Sequence, residues 1–268
     1  MEYKIIVLDL DGTLTNSKKE ISKNTLDALL EIQRNGYKVA LASGRPTPGI
    51  TKLAKQLELK KYGGYILSFN GAKIISCRDN EVIFQKTLPA EVIPQLHQTA
   101  LDNNIGIISY DDGMVIAGNG IDEYIELEAR INGLDIKEVP DFVSYINYPV
   151  NKCLMTAPHD VLENVRKQLQ NKYNSLLSIY FSEPFFLEIM PQNVDKAQSL
   201  LTLLNTIGIS SEEMICCGDV FNHISMIQVA GLGVAMENAQ EAVKQAADYI
   251  TLSNDDEGIL HVIKKFMN

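Results

Sequence analysis

The alternation of short apolar runs with amphipathic helical stretches is the feature that most restricts the fold of this chain. The N-terminal part predicts strands at 4–9, 37–42 and 65–69, separated by helices at 22–35 and 47–57. The first of these helices has Ser22 as a suitable N-cap and Gly36 as a suitable stop. Strands joined by helices in this way form a parallel sheet with helices on both faces. The sequence therefore predicts an α/β fold with a doubly wound, mostly parallel, Rossmann-like sheet.

A different pattern interrupts this alternation after Asn70. Residues 73–77 and 81–88 predict an antiparallel hairpin, and the stretch 90–190 mixes helices with further strands in the manner of an α+β domain. The first pattern returns from residue 194, with helices again alternating with apolar strands. We therefore expect residues 1–84 and 191–268 to form one core domain, and residues 85–190 to form an inserted α+β domain.

Composition and charge argue against several classes of protein. The net charge of −10 and the pI near 4.9 disfavour nucleic acid as a partner, because binding to a polyphosphate backbone needs a basic surface. No apolar run approaches the roughly 18 residues of a membrane span, so a membrane is not an expected partner either. The cysteines show no CxxC spacing, and we expect buried thiols in a cytoplasmic protein. The oligomeric state stays open between monomer and homodimer.

Polar residues cluster where the predicted core strands end. In an open parallel sheet the loops at the carboxyl ends of the strands meet at one crevice, so polar residues there are candidate site residues. They are Asp9 and Asp11 after the first strand, Ser43, Gly44 and Arg45 after the second, Lys196 at a helix start, and Asp219 and Asn222 after a later strand.

These residue types point to a metal ion and a phosphoryl group. Carboxylates at neighbouring strand ends repel one another unless a cation lies between them or one is protonated. Asp9 and Asp219 hold such positions, and the first loop offers oxygen donors without His or Cys at metal-ligand spacing, which suits a hard ion such as Mg²⁺. Ser43 and Lys196 then supply a hydroxyl donor and a positive charge, as a phosphoryl group requires while charge develops during transfer.

The same segments resemble the motifs of a known enzyme family. The stretch DLDGTLT (9–15) resembles the first signature, DxDGTL, of the haloacid dehalogenase superfamily, and LASGR (41–45) resembles its second motif. The stretches EIMPQNVDK (188–196) and ICCGDVFNHISMI (215–227) are similar to those of the Cof-type sugar-phosphate phosphatases. The inserted domain resembles the C2-type α+β cap of that branch in length and pattern. The resemblance covers essentially the whole core.

The resemblance implies a Mg²⁺-dependent phosphatase that hydrolyses a small phosphorylated metabolite, such as a sugar phosphate, through an aspartyl-phosphate. Asp9 would be the nucleophile, and Asp11, with its side chain free for proton transfer, would protonate the leaving alkoxide and then activate water. The Mg²⁺ would be held by Asp9, Asp219 and the main-chain carbonyl of Asp11. Ser43 and Lys196 would complete the catalytic set by binding the phosphoryl group. The positions implied for substrate binding are Gly44, Arg45, Asn70 and Asn222.

One position departs clearly from the family motif. Relatives usually read GDxxND in the fourth motif, and His223 stands where the second aspartate would orient water on the metal. The loss of such a group implies a metal affinity or activity lower by about 10- to 100-fold. Asn193 and Ala197 are milder departures beside Lys196, where relatives often carry glycine.

Two alternatives to the phosphatase therefore stay open. One is a sugar phosphomutase, in which the same covalent chemistry with water excluded returns the phosphoryl group to a sugar. The other is a catalytically impaired relative that binds a phosphorylated ligand, because His223 replaces the usual aspartate.

Overall fold

The chain folds into two compact units, described here by a computed structural model for residues 2–111 and 113–267. The core unit comprises the chain up to Phe84 and from Asp195 onward, and the inserted unit runs from Gln85 to Val194. The first division coincides with the boundary expected from the sequence, whereas the second lies at 194/195 instead of 190/191. Residues after 190 stay with the inserted unit because the Gln192 N–H donates to the Leu176 carbonyl.

The first part of the core unit alternates strands and helices. In chain order it contains β1 (Ile5–Leu8), α1 (Lys23–Arg34), β2 (Lys38–Ala42), α2 (Thr47–Gln56), α3 (Leu59–Tyr62), β3 (Tyr65–Ser68), β4 (Lys73–Ser76) and β5 (Val82–Gln85). Ser22 is the N-cap of α1, because its side chain accepts a hydrogen bond from the Thr25 N–H. The single turn α3 was not predicted, since four residues are too few to show a helical period.

The inserted unit has the α+β composition that the sequence predicted. It contains α4 (Ile93–Asn103), β6 (Gly106–Asp111), β7 (Met114–Ala117), α5 (Glu123–Asn132), β8 (Asp135–Glu138), α6 (Phe142–Tyr145), β9 (Cys153–Thr156), α7 (His159–Tyr173), β10 (Leu177–Glu183) and β11 (Phe186–Pro191). Its six strands form one sheet in the order β10-β11-β9-β6-β7-β8, antiparallel except for the β7–β8 pair. The sequence did not predict β8, a largely exposed edge strand of mostly charged residues.

The chain then returns to the core unit. This part contains α8 (Lys196–Ile207), β12 (Met214–Gly218), α9 (Ile224–Gln228), β13 (Leu232–Ala235), α10 (Glu241–Ala246), β14 (Tyr249–Ile250) and α11 (Gly258–Phe266). The helix α9 begins only at Ile224, because a 3₁₀ turn at Phe221–His223 precedes it.

The core sheet has the order β14-β13-β12-β1-β2-β3-β4-β5, so the first strand lies in the middle. From β14 to β3 all neighbours are parallel, and β4 runs antiparallel to β3. Ile5 pairs with Lys38 on one side and with Met214 on the other. This register brings the ends of β1, β2 and β12 to one edge of the sheet and confirms the predicted α/β fold.

Both faces of this sheet are covered by apolar side chains. Ile6 and Leu8 of β1 pack on one face in a cluster with Leu29 of α1, Ile50 of α2 and Val262 of α11. Ile5 and Val7 lie on the other face, in a cluster with Leu200 and Leu203 of α8. A strand buried on both faces reads as a continuous apolar run, which explains the sequence of β1.

Two further predictions concern composition. All four cysteines are buried thiols, as expected. No helix in the described part of the chain combines the length and apolar character needed to cross a membrane.

Candidate active site

The first motif forms a tight loop at the end of β1. Asp9 directly follows the strand, and its N–H donates to the Cys217 carbonyl of β12 at 3.2 Å. The chain then turns back, with the Leu14 N–H donating to the Asp9 carbonyl and the Thr15 hydroxyl donating to the Leu10 carbonyl. Asp9 is only 5% exposed. The loop therefore holds a buried carboxylate at the middle of the sheet edge.

The second carboxylate lies at the end of the neighbouring strand β12. Asp219 is buried, and its Oδ1 accepts a hydrogen bond from the Thr13 hydroxyl at 3.0 Å. Its other oxygen lies against Gly12, where an added Cβ would come within 2.3 Å of Oδ2. Gly12 also has a φ of +80°, so both backbone conformation and space require glycine there.

Lys196 reaches the same place from the first turn of α8. Its Nζ donates to Oδ1 of Asp9 at 3.1 Å, and the lysine is 3% exposed. Asp195 fixes this helix start, because its Oδ1 accepts from the Gln198 N–H and its Oδ2 accepts from the Ser225 hydroxyl. Just before it, Asn193 adopts a left-handed conformation with φ of +56°, which glycine would adopt at lower cost.

His223 contacts Asp9 directly, which the sequence did not predict. Its Nε2 lies 2.9 Å from Oδ1 of Asp9, and its Nδ1 lies 3.5 Å from Oδ1 of Asp219. The sequence placed this residue beyond the metal ligands, yet the structure brings it against the expected nucleophile. Burial would by itself raise the pKa of Asp9, but His223 and Lys196 together lower that pKa to about 2. Asp9 is therefore an ionised carboxylate at neutral pH.

Asp11 differs from the expectation that its side chain is free. Arg45 binds it through two hydrogen bonds, Nε to Oδ2 at 2.8 Å and Nη2 to Oδ1 at 2.7 Å, and Lys19 Nζ donates to Oδ1 at 2.8 Å. Burial opposes the charge of Asp11, but these bonds outweigh it and hold its pKa below the ordinary value. In this conformation Asp11 is an ionised partner of Arg45, not an available acid.

The loop after β2 brings further candidate residues to the same sheet edge. Ser43 is buried, its hydroxyl accepts from the Arg45 N–H at 3.2 Å, and its carbonyl accepts from the Asn70 N–H at 3.0 Å. Gly44 lies against Asn70, with an added Cβ 3.1 Å from the amide oxygen. Asn222 is exposed, and within the described residues its side chain makes no hydrogen bond to either buried aspartate.

Three contributors were not identified from the sequence. Thr13 lies inside the DGT stretch, so its position in the motif could have indicated a role. His223 was noted only as a departure from a motif. Lys19 gave no signal, because an exposed lysine in a polar loop looks the same whether or not it binds a carboxylate.

The donor set fits a hard divalent cation. Asp9 and Asp219 each present a carboxylate oxygen, and these oxygens lie, together with a nitrogen of His223, within 4.8 Å of one another. Two buried carboxylates at this separation are stabilised by a cation, and carboxylate oxygens are typical Mg²⁺ ligands. That the main-chain carbonyl of Asp11 is a third ligand stays a prediction.

Comparisons with known proteins identify the family of the chain. A family model described as haloacid dehalogenase-like hydrolase matches residues 6–263. The putative phosphatase YxeH of Bacillus subtilis is 30% identical, with 99% of this chain and 98% of that protein covered. The 5-amino-6-(5-phospho-D-ribitylamino)uracil phosphatase YcsE of the same organism is 29% identical, with 100% and 97% covered.

Solved structures of the same superfamily also match nearly the whole chain. A haloacid dehalogenase-like hydrolase from Bacteroides thetaiotaomicron matches with a TM-score of 0.96 and 47% identity, covering 98% of this chain and 99% of that one. A sugar phosphatase of subclass IIB of the same superfamily matches with a TM-score of 0.81 and 25% identity, covering 98% and 99%. The similarity in each case extends over both units of the fold.

Proposed function

Because the chain belongs to the haloacid dehalogenase-like hydrolases, we propose that it is a Mg²⁺-dependent phosphatase that hydrolyses a small phosphorylated metabolite through an aspartyl-phosphate. Relatives across its whole length are putative phosphatases. The observation that carries the proposal is the convergence of Lys196 and Asp219 on the buried carboxylate of Asp9.

Asp9 is suited to be the nucleophile. It is ionised, it is excluded from bulk water, and Lys196 donates to one of its two oxygens. The other oxygen would attack phosphorus, so that an oxygen–phosphorus bond forms as the bond from phosphorus to the leaving alkoxide breaks. Lys196 would also neutralise charge on the phosphoryl group, and Ser43 would donate its hydroxyl to a phosphoryl oxygen.

The carboxylates of Asp9 and Asp219, with the Asp11 carbonyl, would hold the metal. When bound, Mg²⁺ would offset the repulsion between Asp9 and an approaching phosphate. Thr13 orients Asp219, since its hydroxyl occupies Oδ1 and leaves Oδ2 beside Gly12.

Asp11 would protonate the alkoxide and later take a proton from water. In the conformation described it is bound by Arg45 and Lys19, so these ion pairs must open before it can donate a proton. A phosphate dianion offers both cations an alternative partner of greater charge. Arg45 would therefore leave Asp11 for the substrate, and Asp11 would then become available for proton transfer.

A sugar phosphate is the substrate class that we favour. The subclass IIB structural relative is named as a sugar phosphatase, and the Bacillus relative acts on a phosphoribityl compound. We expect the reaction to take place in the cytoplasm, where the buried cysteines would remain thiols.

The test is an assay of the purified protein with an aryl phosphate and a panel of sugar phosphates, with and without Mg²⁺. We expect Mg²⁺-dependent release of inorganic phosphate that the Asp9→Asn variant lacks. Equal rates for this variant and the native protein would refute the proposal. Analysis of the products also separates hydrolysis from phosphomutase activity, because a mutase yields an isomeric sugar phosphate instead of inorganic phosphate.

A further inference from the structure

The turn after β12 holds the imidazole of His223 in a defined orientation. Two backbone amides, the N–H groups of Asp219 and Val220, donate to its Nδ1, each at 3.2 Å. Because both groups can only donate, Nδ1 must accept and therefore carries no proton. In the neutral ring the proton then lies on Nε2.

The surrounding residues leave the ring little freedom. His223 is 2% exposed, and it packs against Gly218, where an added Cβ would lie 2.7 Å from its Cβ and 3.0 Å from its Nδ1. The Gly218 carbonyl is itself held by the Met236 N–H. The loop therefore packs closely around this ring and limits its rotation.

The Nε2 atom of the ring lies beside the expected nucleophile. Nε2 lies 2.9 Å from Oδ1 of Asp9, the same oxygen that accepts from Nζ of Lys196 at 3.1 Å. Two side-chain nitrogens thus lie within 3.1 Å of one oxygen. The other oxygen of Asp9, Oδ2, accepts from neither of them.

We propose that His223 is a positioning residue for Asp9: as a neutral Nε2–H donor it fixes the carboxylate together with Lys196, so that Oδ1 stays bound and Oδ2 faces the phosphorus. This inference rests on the proposed phosphatase function. It assigns to His223 a role that differs from that of an aspartate, which has no hydrogen to donate when ionised.

The second half of the reaction shows what such a donor contributes. Water attacks phosphorus, its oxygen–phosphorus bond forms, the bond from phosphorus to Oδ2 breaks, and Asp11 takes the proton from water. The electron pair of the broken bond returns to the Asp9 carboxylate, which shares the charge between both oxygens. Donors on Oδ1 stabilise that developing charge, so His223 should speed the breakdown of the aspartyl-phosphate.

The imidazole also preserves one function of the residue that it replaces. An aspartate at 223 could accept from the same two amides through one oxygen, as Nδ1 does here. Its second oxygen would bring a negative charge toward Asp9 and Asp219, whereas Nε2–H brings a donor. The exchange therefore keeps the loop, removes one charge near the cation and adds a hydrogen bond to Asp9.

Two conservative variants separate these functions. His223→Asn retains an acceptor for the two amides but is too short to reach Asp9, whereas His223→Gln can place its amide N–H near the position of Nε2. A positioning role predicts that kcat falls about 10- to 100-fold in the Asn variant, with KM nearly unchanged, and is largely retained in the Gln variant. The opposite order would overturn the proposal, because it would show that His223 serves the loop alone.

A second measurement distinguishes the two half-reactions. After rapid acid quench, the Asn variant should accumulate phosphorylated protein during turnover with an aryl phosphate, whereas the native protein should not. No accumulation in the Asn variant would contradict a role for His223 in breakdown of the intermediate.

Two readouts do not depend on turnover. Nitrogen NMR of histidine-labelled native protein should show an unprotonated Nδ1 and a protonated Nε2 for His223, assigned by its loss in the Gln variant. Calorimetric titration should show that the His223→Asp variant binds Mg²⁺ with an affinity at least about 10-fold higher than that of the native protein. A ring protonated on Nδ1, or equal Mg²⁺ affinities, would overturn the inference even if the protein proves to be a phosphatase.

Discussion

The buried pair of Lys196 and Asp9 should couple folding stability to pH. Both side chains are almost fully buried, and the Nζ to Oδ1 distance is 3.1 Å. Removing one partner of such a pair leaves an uncompensated buried charge and costs about 3–5 kcal/mol. Because His223 still lies 2.9 Å from Asp9, we expect Lys196→Met to lower the free energy of unfolding at neutral pH by about 3 kcal/mol, the low end of this range.

The sign of the pH dependence follows from the pKa of Asp9. In the native protein this pKa lies below the ordinary 3.8, so the ionised carboxylate contributes to stability at neutral pH. That stability is fully present above the ordinary pKa and is lost as the pH falls through about 2. Without Lys196 the pKa of Asp9 rises, because only His223 then opposes the increase in pKa that burial causes. The cost of Lys196→Met should therefore be smaller at about pH 3.5 than at pH 7.

The assay is equilibrium unfolding in urea, followed by circular dichroism and fitted with one transition for each unit. A double-mutant cycle with Asp9→Asn isolates the pair, and we expect a coupling energy of about 2 kcal/mol at neutral pH. The exposed Lys55, changed to Met, is the matched control and should alter stability by less than about 0.5 kcal/mol. A coupling energy near zero, or a cost of Lys196→Met that does not vary with pH, would refute the reasoning.

Three further predictions concern the neighbouring residues. Gly12→Ala should destabilise the fold by about 1–3 kcal/mol, measured by thermal unfolding, since its Cβ would meet Asp219 at a φ of +80°; an unchanged melting temperature would contradict this. Arg45→Gln should raise the pKa of Asp11 and move the pH–rate profile to higher pH, and an unmoved profile would count against the ion pair. Saturating Mg²⁺, at about 100 times its Kd, should stabilise the native protein by about 2.7 kcal/mol but leave Asp219→Asn unchanged.

The arrangement of the core could be predicted because local pattern and topology agree in it. The continuous apolar run of β1 requires burial on both faces, and right-handed crossovers then place its neighbours. Edge elements escaped prediction for the opposite reason. The strand β8 and the turn α3 bury few side chains. Their sequences therefore show no hydrophobic periodicity that would distinguish them from polar loops.

The candidate site was predictable in its backbone but not in its side-chain partners. Asp9 and Asp219 end adjacent strands, so their proximity follows from strand order alone. The pairing of Arg45 with Asp11 depends on rotamers and on a loop of irregular conformation, which no periodicity encodes. The contact of His223 with Asp9 depends on a single 3₁₀ turn, where a shift of one residue would point the ring elsewhere.

The contacts that the sequence missed explain how an acidic protein can accept an anionic substrate. At formal charge the site holds three carboxylates, Asp9, Asp11 and Asp219, and three cations, Lys19, Arg45 and Lys196. A divalent cation alone would leave this set with excess positive charge, and a phosphate dianion alone would leave it with excess negative charge. Bound together they restore balance, so each should increase the affinity of the site for the other. A neutral ring at 223 preserves this charge balance. An additional carboxylate there would give the site a net negative charge, which favours binding of the metal over binding of the phosphate.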